Sequence, residues 1–379
     1  LKIYQVGGAV RDRLLGLPVH DIDYVVVGSS VEEMLAKGFR PVGSHFPVFL
    51  HPQTQHEYAL ARTERKTAPG HQGFVFHADP SIRLEDDLKR RDLTINAIAQ
   101  EVNASGELIG DLIDPYQGKE DLEQGIFRHL SNAFSEDPLR VLRVARFAAR
   151  FPKFNIAPET LVLMKSMVHN GELKTLSKER VWQELAKAFI SQAPECFIEV
   201  LEQCDALEEI WPNALVKQWQ HMSSRKEILA QLHQAVTVYP ELDKRLAIVL
   251  KRLKRSEIVD WASGLKVPND ITEYCLLTAD FEACRHSPIH PQIALDLFNR
   301  SDVWRKPKRF IEVLRLADTL GIDIQEWVKR TEGMSLSHLK EVVISTIVMG
   351  RDFEDVMDNL EGLKRAPTIK GSGKVGFGQ

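Results

Sequence analysis

No apolar run in the 379 residues approaches the roughly 20 needed to span a bilayer, and no signal-peptide pattern opens the chain. A membrane partner is therefore not expected. Cysteine is scarce. Cys196, Cys204, Cys275 and Cys284 are the whole set, and none stands at C-x-x-C spacing. That excludes a disulfide framework and a thiolate zinc site, and it implies buried free thiols in a reducing cytoplasm. No charge of one sign dominates: 49 Lys and Arg face 53 Asp and Glu, for a net charge of −4. Any binding of nucleic acid must therefore come from local basic stretches rather than from the field of the whole chain. Such stretches occur at Lys244-Arg245, Lys251-Arg252-x-Lys254-Arg255 and Arg305-Lys306-x-Lys308-Arg309. Each reads equally well as the solvated face of a helix.

What is present is an ordinary soluble composition, 44% hydrophobic and 27% charged, long enough for two to four domains. The stretch around which it is organised is Val6-Gly7-Gly8-Ala9-Val10-Arg11-Asp12, followed by Asp21-Ile22-Asp23. Ile3, Tyr4 and Val6 read as a short strand that breaks at two glycines and becomes helical. Gly7 and Gly8 let the backbone lie close to a ligand, with N–H groups at a helix start, and both features favour phosphate. Arg11, one turn in, can face the same anion. Leu14 and Leu15 anchor the helix, and Gly16 with Pro18 ends it. The β-branched run after Asp21 predicts a returning strand, on which Asp21 and Asp23 share a face. Two such carboxylates suit Mg²⁺ with room for water and phosphate oxygens. Either feature alone is common, a D-x-D pair as surface acids and a Gly-Gly pair as plain turn chemistry. In this order they are the equipment of metal-assisted nucleotidyl transfer.

Farther along, Ser30 to Gly38 predicts a capped helix, and Phe46 to His51 and Glu57 to Ala61 predict short strands. Glu57 reads as a surface acid or as a third carboxylate near the pair. Arg62 to Leu84 is polar, carries Pro69, Gly70, Gly73 and Pro80, and reads as a mobile loop. Within Leu88 to Ala97, Arg91, Thr94 or Ile95, and Ile98 fall at helical spacing. Ile113-Asp114-Pro115-Tyr116 predicts a turn into a capped helix. From about residue 131 the pattern is helical. Ser135 or Asp137 can cap, Pro138 suits a first turn, and Arg140, Arg143 and Phe147 share one face. Asp137 and Arg140 could form a simple ion pair. They could also offer an acceptor and donors to a base edge, and cytosine and adenine both present an amine beside a ring acceptor.

These motifs together resemble the class II tRNA nucleotidyltransferases, the CCA-adding enzymes of the polymerase-β-like nucleotidyltransferase superfamily. Gly7-Gly8-x-Val10-Arg11-Asp12 with Asp21-x-Asp23 is similar to the first family motif, and Arg90 to Ala97 matches R-R-D-x-T-x-N-A. Asp114 to Arg128 resembles the third motif, which couples head and neck. Glu136-Asp137-x-x-Arg140 resembles the base-reading E-D-x-x-R, and Leu176 to Glu184 the fifth motif, which supports the base-reading helix. The resemblance implies that Gly8, Arg11 and Arg91 position a triphosphate and that Asp92 and Asn96 sit by the ribose. It implies that Asp137 and Arg140 select the base, with Arg143 on phosphate or in the base pocket, and that Asp21 and Asp23 hold Mg²⁺. Glu179, Arg180 and Glu184 are given no direct contact. In the family a flexible loop in the 62–84 interval serves the change from adding C to adding A.

The expected fold is α+β, a small mixed sheet with helices as the head, followed by an all-helical neck, body and tail. The boundaries expected are 1–130 for the catalytic head, 131–215 for the base-reading neck and 216–366 for a tRNA-binding body and tail; 367–379 is expected to be disordered. The resemblance is rich in motifs to about residue 215 and weak beyond, where Leu295 to Phe310 looks like the tail of gammaproteobacterial members. Many of those carry a phosphohydrolase domain marked by H-x-x-x-H and His-Asp. The C-terminal half has no His-Asp dipeptide, and His221, His233, His286 and His290 lack that arrangement. Trp261, Trp304 and Trp327 are expected in the core. The implied reaction is addition of the 3′ CCA to tRNA from CTP and ATP, with no stable protein partner. An A-only enzyme and a poly(A) polymerase of the same superfamily are the alternatives, along with a non-catalytic RNA-binding protein on a retired enzyme fold, against which the intact Asp pair speaks.

Overall fold

The computed structural model describes residues 1–42, 48–66 and 74–284, with 300, 301, 309, 312, 313, 315 and 316 beyond them. His286, His290, Trp304, Trp327, the Phe46 strand start, most of the basic run at 305–309 and of the Leu295 to Phe310 segment, and the 367–379 tail lie outside the described residues. The chain divides into two units. The first is Leu1–Val236 with Pro240–Leu242 and Asp260–Val267; the second is Thr237–Tyr239, Asp243–Val259 and Pro268–Gln379.

In the first unit, β1 (Lys2–Val6) leads through Gly7 into α1 (Gly8–Leu14), β2 (Asp23–Val27) and α2 (Val31–Ala36). Ser30 caps α2 by accepting from the Glu33 N–H at 3.3 Å, and Gly38 closes the turn with φ +83°, as the sequence predicts. Then come β3 (Arg40–Pro41), β4 (Val48–Leu50), β5 (Glu57–Leu60), β6 (Arg62–Lys66), β7 (Phe74–Ala78), α3 (Leu84–Lys89), β8 (Ala99–Val102) and β9 (Leu108–Ile113). Seven strands form one sheet in the order β3-β4-β5-β2-β1-β8-β9. Only the β2–β5 pair is parallel. The run Tyr24-Val25-Val26 is apolar throughout because both faces are covered. Val25 joins Tyr4, Val6 and Leu88 on one face, while Tyr24 and Val26 join Met34, Phe49 and Tyr58 on the other.

Four local expectations change. The strand begins at Asp23 rather than Asp21, since Asp23 pairs with Val6, the last residue of β1; the chain turns at Gly7 and leaves Asp21 no partner. In α1 the buried residues are Ala9 to Asp12, with Leu14 and Leu15 only half-buried. The polar interval 62–84 holds an antiparallel ribbon, β6 on β7 with Arg62 opposite Ala78 and Lys66 opposite Phe74. Its one sequence signal is Phe74-Val75-Phe76, whose aromatic and β-branched residues suit a strand. The second-motif stretch is not one helix: α3 ends at Lys89, and a single 3-10 turn at Thr94–Asn96 follows.

After α4 (Gly118–Gln124), β10 (Ile126–Phe127) pairs with β11 (Asn155–Ile156), so the neck is not wholly helical. Between them runs α5 (Leu139–Arg150), and α6 (Pro158–His169) follows; α5 packs on α7 (Lys178–Phe189) and α8 (Pro194–Gln203). Trp261 is core, as expected: it stacks on Trp211 at 5.4 Å, and its N–H donates to the Ile210 carbonyl. Cys196 and Cys204 are free thiols that burial pushes up to about 12. In the second unit Lys244, Arg245 and Lys251 are buried, Arg245 donating to the Tyr239 carbonyl at 2.7 Å and Lys251 lying 3.8 Å from Glu282. Arg252 pairs with Glu282 and Arg255 with Asp280. Helix packing thus ties Lys251, Arg252 and Arg255 to acids of Asn269–Cys284, while Arg252 and Lys254 stay exposed.

The third motif acts as a support for the 3-10 turn. Asp114 caps α4 by accepting from the Gly118 and Lys119 N–H groups, both at 2.8 Å. The Asp121 carboxylate accepts from the Thr94 hydroxyl at 2.7 Å. Gly118 packs so closely that a Cβ there would lie 2.2 Å from the Thr94 carbonyl oxygen. Gly118→Ala must displace that turn. The expected loss is about 1–3 kcal/mol, read as a lower urea midpoint by tryptophan fluorescence; an unchanged midpoint would show the turn is not held there.

Candidate active site

Sheet register builds the front of the site. Val6, Asp23 and Glu57 stand in one row across β1, β2 and β5, so Asp23 and Glu57 project from one face. Next to Val6 the backbone turns at Gly7 with φ +67°, and a Cβ there would sit 2.8 Å from the Arg91 Nη1. Only glycine allows both the left-handed turn and that approach. Behind lies a cavity of about 540 Å³, lined by Gly7, Gly8, Asp23 and Glu57 from the sheet side and by Asp137, Arg140, Arg143 and Phe147 from the α5 side. Nine arginines and four carboxylates line it, and no lysine. Arginine is the residue whose planar fork matches phosphate.

A buried chain of charged hydrogen bonds runs behind the cavity. Arg11, 3% exposed, donates from Nε and Nη2 to Asp12 at 2.9 and 2.7 Å and from Nη1 to the Asn96 oxygen at 2.6 Å. The Asn96 amide donates to Asp92 at 2.9 Å, and Arg143 donates to the other Asp92 oxygen at 2.7 Å. Arg150 closes the far end, donating to Asp12 at 2.7 Å. Phe147 and Phe151 lie under these cations, Arg11 standing 5.2 and 5.3 Å from the two ring centres. Burial alone would raise the Asp92 carboxyl; Arg143, the Asn96 amide and Arg140 outweigh it and hold the group well below the usual carboxylate range. Asp92 in turn raises Arg143, whereas burial lowers Arg11 and Arg91.

Of the residues singled out from sequence, Gly8, Arg11, Asp23, Arg91, Asp137, Arg140 and Arg143 line the one cavity. Asp21 does not. It is exposed and lies in the connection before β2, so the pair does not share a strand face. Asp137 and Arg140 meet protein partners here. Asp137 accepts from Arg180 at 2.8 Å and from the Leu139 N–H at 3.1 Å, while Arg140 donates to the Arg90 and Ala133 carbonyls at 2.6 and 2.8 Å. Glu57, set aside as a surface acid, lies beside Asp23; only the parallel register of β5 on β2 reveals that. Arg180, given no direct contact, lines the cavity, and Glu184 holds Arg146 there. Arg90, Arg146 and Arg150 were also missed. All three line the cavity, and for Arg146 and Arg150 the i, i+3 and i, i+4 spacing of arginines in α5 is the signal.

The donor set fits phosphate: the buried Nε of Arg91 has no hydrogen-bond partner among the described residues. The exposed carboxylates of Asp23 and Glu57 offer hard oxygen donors at the same wall. Among the described residues no three His, Cys, Asp or Glu side chains gather as a metal cage; a Mg²⁺ bound through one or two carboxylates with substrate phosphate needs none. No helix among the described residues is long and apolar enough to cross a membrane.

Residues 3–128 match the poly A polymerase head domain family, and residues 153–216 match a family described as "Probable RNA and SrmB- binding site of polymerase A". The chain is 48% identical over 328 residues to a CCA-adding enzyme of Pseudomonas entomophila, covering 85% of this chain and 86% of that one. A multifunctional CCA protein of Paraburkholderia phymatum is 46% identical, covering 84% and 83%. This chain belongs to the CCA-adding enzymes. A solved tRNA-processing enzyme in an apo form shares the fold at TM-score 0.60 and 25% identity, covering 96% of this chain and 92% of that one. The Thermotoga maritima CCA-adding enzyme complexed with tRNA shares it at TM-score 0.57 and 23% identity, covering 96% and 91%.

In this CCA-adding enzyme the charge on Asp92 is tied to folding. Its folded carboxyl lies below the unfolded value of about 3.9, so its contribution is full above that pH and is lost as pH falls through and below it. Asp92→Asn should lower the urea midpoint at pH 7, and the gap to wild type should narrow progressively as the pH falls below about 4. A gap independent of pH would show that the carboxylate charge is not what stabilises the turn.

Proposed function

We propose that the chain builds the 3′ CCA of tRNA from CTP and ATP without a nucleic-acid template. The tRNA 3′-hydroxyl attacks the α-phosphorus and pyrophosphate leaves. The observation that carries this reading is a cavity lined together by strand-borne Asp23, by Asp137 and by Arg140 of α5, with many arginines in its walls. One end can hold reacting phosphates and the other a base. Membership of the family implies a divalent metal, and the reading takes Mg²⁺ on Asp21 and Asp23, with Glu57 beside Asp23. When bound, the metal supplies charge neutralisation at the reacting and leaving oxygens.

The chain's own residues do the rest. Gly8, Arg11 and Arg91 place the triphosphate where its charge is offset by fixed donors. Asp92 and Asn96 lie by the ribose. Asp137, oriented by Arg180, accepts from the exocyclic amine of cytosine or adenine; Arg140 donates to the ring acceptor. Arg143 lies in the base pocket, held by Asp92. Uracil and guanine present a carbonyl where Asp137 needs a donor. On this reading residues 1–130 are the catalytic head, 131–215 the base-reading neck and 216–366 the part that holds the tRNA acceptor arm, in the cytoplasm.

The deciding measurement is incorporation into tRNA transcripts ending before CCA, after C and after CC, with CTP, ATP or both. Three added nucleotides followed by a stop are expected. Addition of A alone to the CC-ending transcript would make it an A-only enzyme, and a long A ladder would make it a poly(A) polymerase. Asp21→Ala and Asp23→Ala should each lower incorporation by orders of magnitude with tRNA affinity retained; turnover surviving in Asp21→Ala would move the metal to Asp23 and Glu57. Arg140→Ala should lose preference for CTP and ATP over UTP and GTP, by about tenfold or more; unchanged selectivity would assign Arg140 to holding the Arg90 and Ala133 carbonyls.

A further inference from the structure

The arginines of the cavity pair in two ways. Arg143 with Asp92, Arg146 with Glu184 and Arg180 with Asp137 stand one cation to one carboxylate. Arg11 and Arg150, by contrast, share Asp12, and Arg90 and Arg91 share Asp87. Asp12 thus serves two cations at once. The Gly7-Gly8 turn sits between these two forks: a Cβ on Gly7 would touch Arg91 Nη1 at 2.8 Å, and one on Gly8 would lie 3.5 Å from Arg11 Nη2. Arg91 and Arg11 therefore flank the turn that the functional reading gives to phosphate. Arg11 and Arg91 are already placed on the triphosphate, but Arg150, the last residue of α5, has no role.

Its setting is built. Asp12 is 8% exposed, and its carboxylate takes two N–H bonds from Arg11 and one from Arg150. The Arg150 carbonyl accepts from the Gln192 amide at 2.6 Å, and its guanidinium lies 5.0 Å from the Phe151 ring centre. The bond to Asp12 uses one of the five donors of a guanidinium. The side chain stays 38% exposed and lines the cavity.

We propose that Arg150 is a further phosphate-binding residue of the nucleotide site, and that Asp12 is the residue that positions it together with Arg11. Helix α5 then holds both ends of a nucleoside triphosphate: Arg140 in its first turn faces the base, and Arg150 in its last turn meets the polyphosphate, about 15 Å farther along the axis at 1.5 Å per residue. Asp12 is a carboxylate beside an anion site. It favours that site indirectly, by fixing two forks that together outweigh its own charge. The proposal rests on the nucleotide-transfer reading for the identity of the ligand, and on the forks for its chemistry.

The test uses the full chain as wild type, Arg150→Ala, Arg150→Lys and Asp12→Asn. Binding of inorganic tripolyphosphate and of CTP is followed by calorimetry, and incorporation by steady-state kinetics. Arg150→Ala should weaken both ligands by about tenfold to a hundredfold, the size of one charge-assisted contact. KM for CTP and ATP should rise in step while kcat and tRNA affinity hold. Arg150→Lys keeps the charge without the planar fork and should recover part of the loss. Asp12→Asn should raise KM likewise, and adding Arg150→Ala to it should cost little more. If Arg150→Ala fails to fold, Arg150→Lys still gives the reading. Wild-type affinity for tripolyphosphate in both Arg150 variants would overturn the proposal, as would a fall confined to kcat. A wild-type protein that binds tripolyphosphate but incorporates nothing would overturn the transfer reading alone, since the binding data still decide the role of Arg150.

Discussion

A buried line of charge-assisted hydrogen bonds, Arg150 to Asp12 to Arg11 to Asn96 to Asp92 to Arg143, is the feature on which the site depends. It starts and ends on α5 and passes through α1 and the 3-10 turn. The sheet-borne part of the site and its helical part are thereby fixed to each other by side chains rather than by apolar contact alone. Its inner members Arg11, Asp12 and Asp92 are buried, and buried charges are tolerated only when paired and hydrogen-bonded. Removing a single member leaves its partner stranded. The third motif, through Asp121 and Gly118, supports the same turn from the opposite side.

The second constraint is electrostatic. A pocket meant for a polyanion has to gather cations before the anion arrives, and their mutual repulsion must be contained. Phe147 and Phe151 help, since their ring faces lie against Arg11, Arg146 and Arg150. Asp92, Glu184 and Asp137 each hold one arginine, while Asp12 holds both Arg11 and Arg150. The chain's overall charge of −4 says nothing of this, because the cations are concentrated in one cavity. In the second unit the same residue types serve differently: Lys244, Arg245 and Lys251 are buried, Lys251 beside Glu282, so a basic run in sequence is no measure of a basic surface.

Much was legible from the residues. The strand, glycine turn and helix at the start follow from local chemistry, as do the Ser30 cap and the Pro138 start of α5. The ribbon at 62–66 and 74–78 was not, because its polar and glycine-containing surroundings hide a short strand pair whose stability comes from pairing. The 3-10 turn at Thr94–Asn96 was mistaken for helix because its apolar and charged residues happen to fall at helical spacing while its backbone is set by Leu93 bridging to His129 and by the Thr94 N–H donating to Arg128.

The sequence by itself determined the kinds of chemistry available: glycines for close backbone approach, arginines for phosphate, carboxylates for metal and base edge. These depend on side-chain type and short spacing, which a linear chain displays. Only the tertiary structure decided which of them meet. Glu57 stands beside Asp23 because β5 pairs in parallel with β2, while Asp21 falls outside the ladder because β1 ends at Val6. Arg180 reaches Asp137, and Arg150 reaches Asp12, across 43 and 138 residues of chain. Partnerships over such separations are set by how helices and sheet pack, and no local pattern records them.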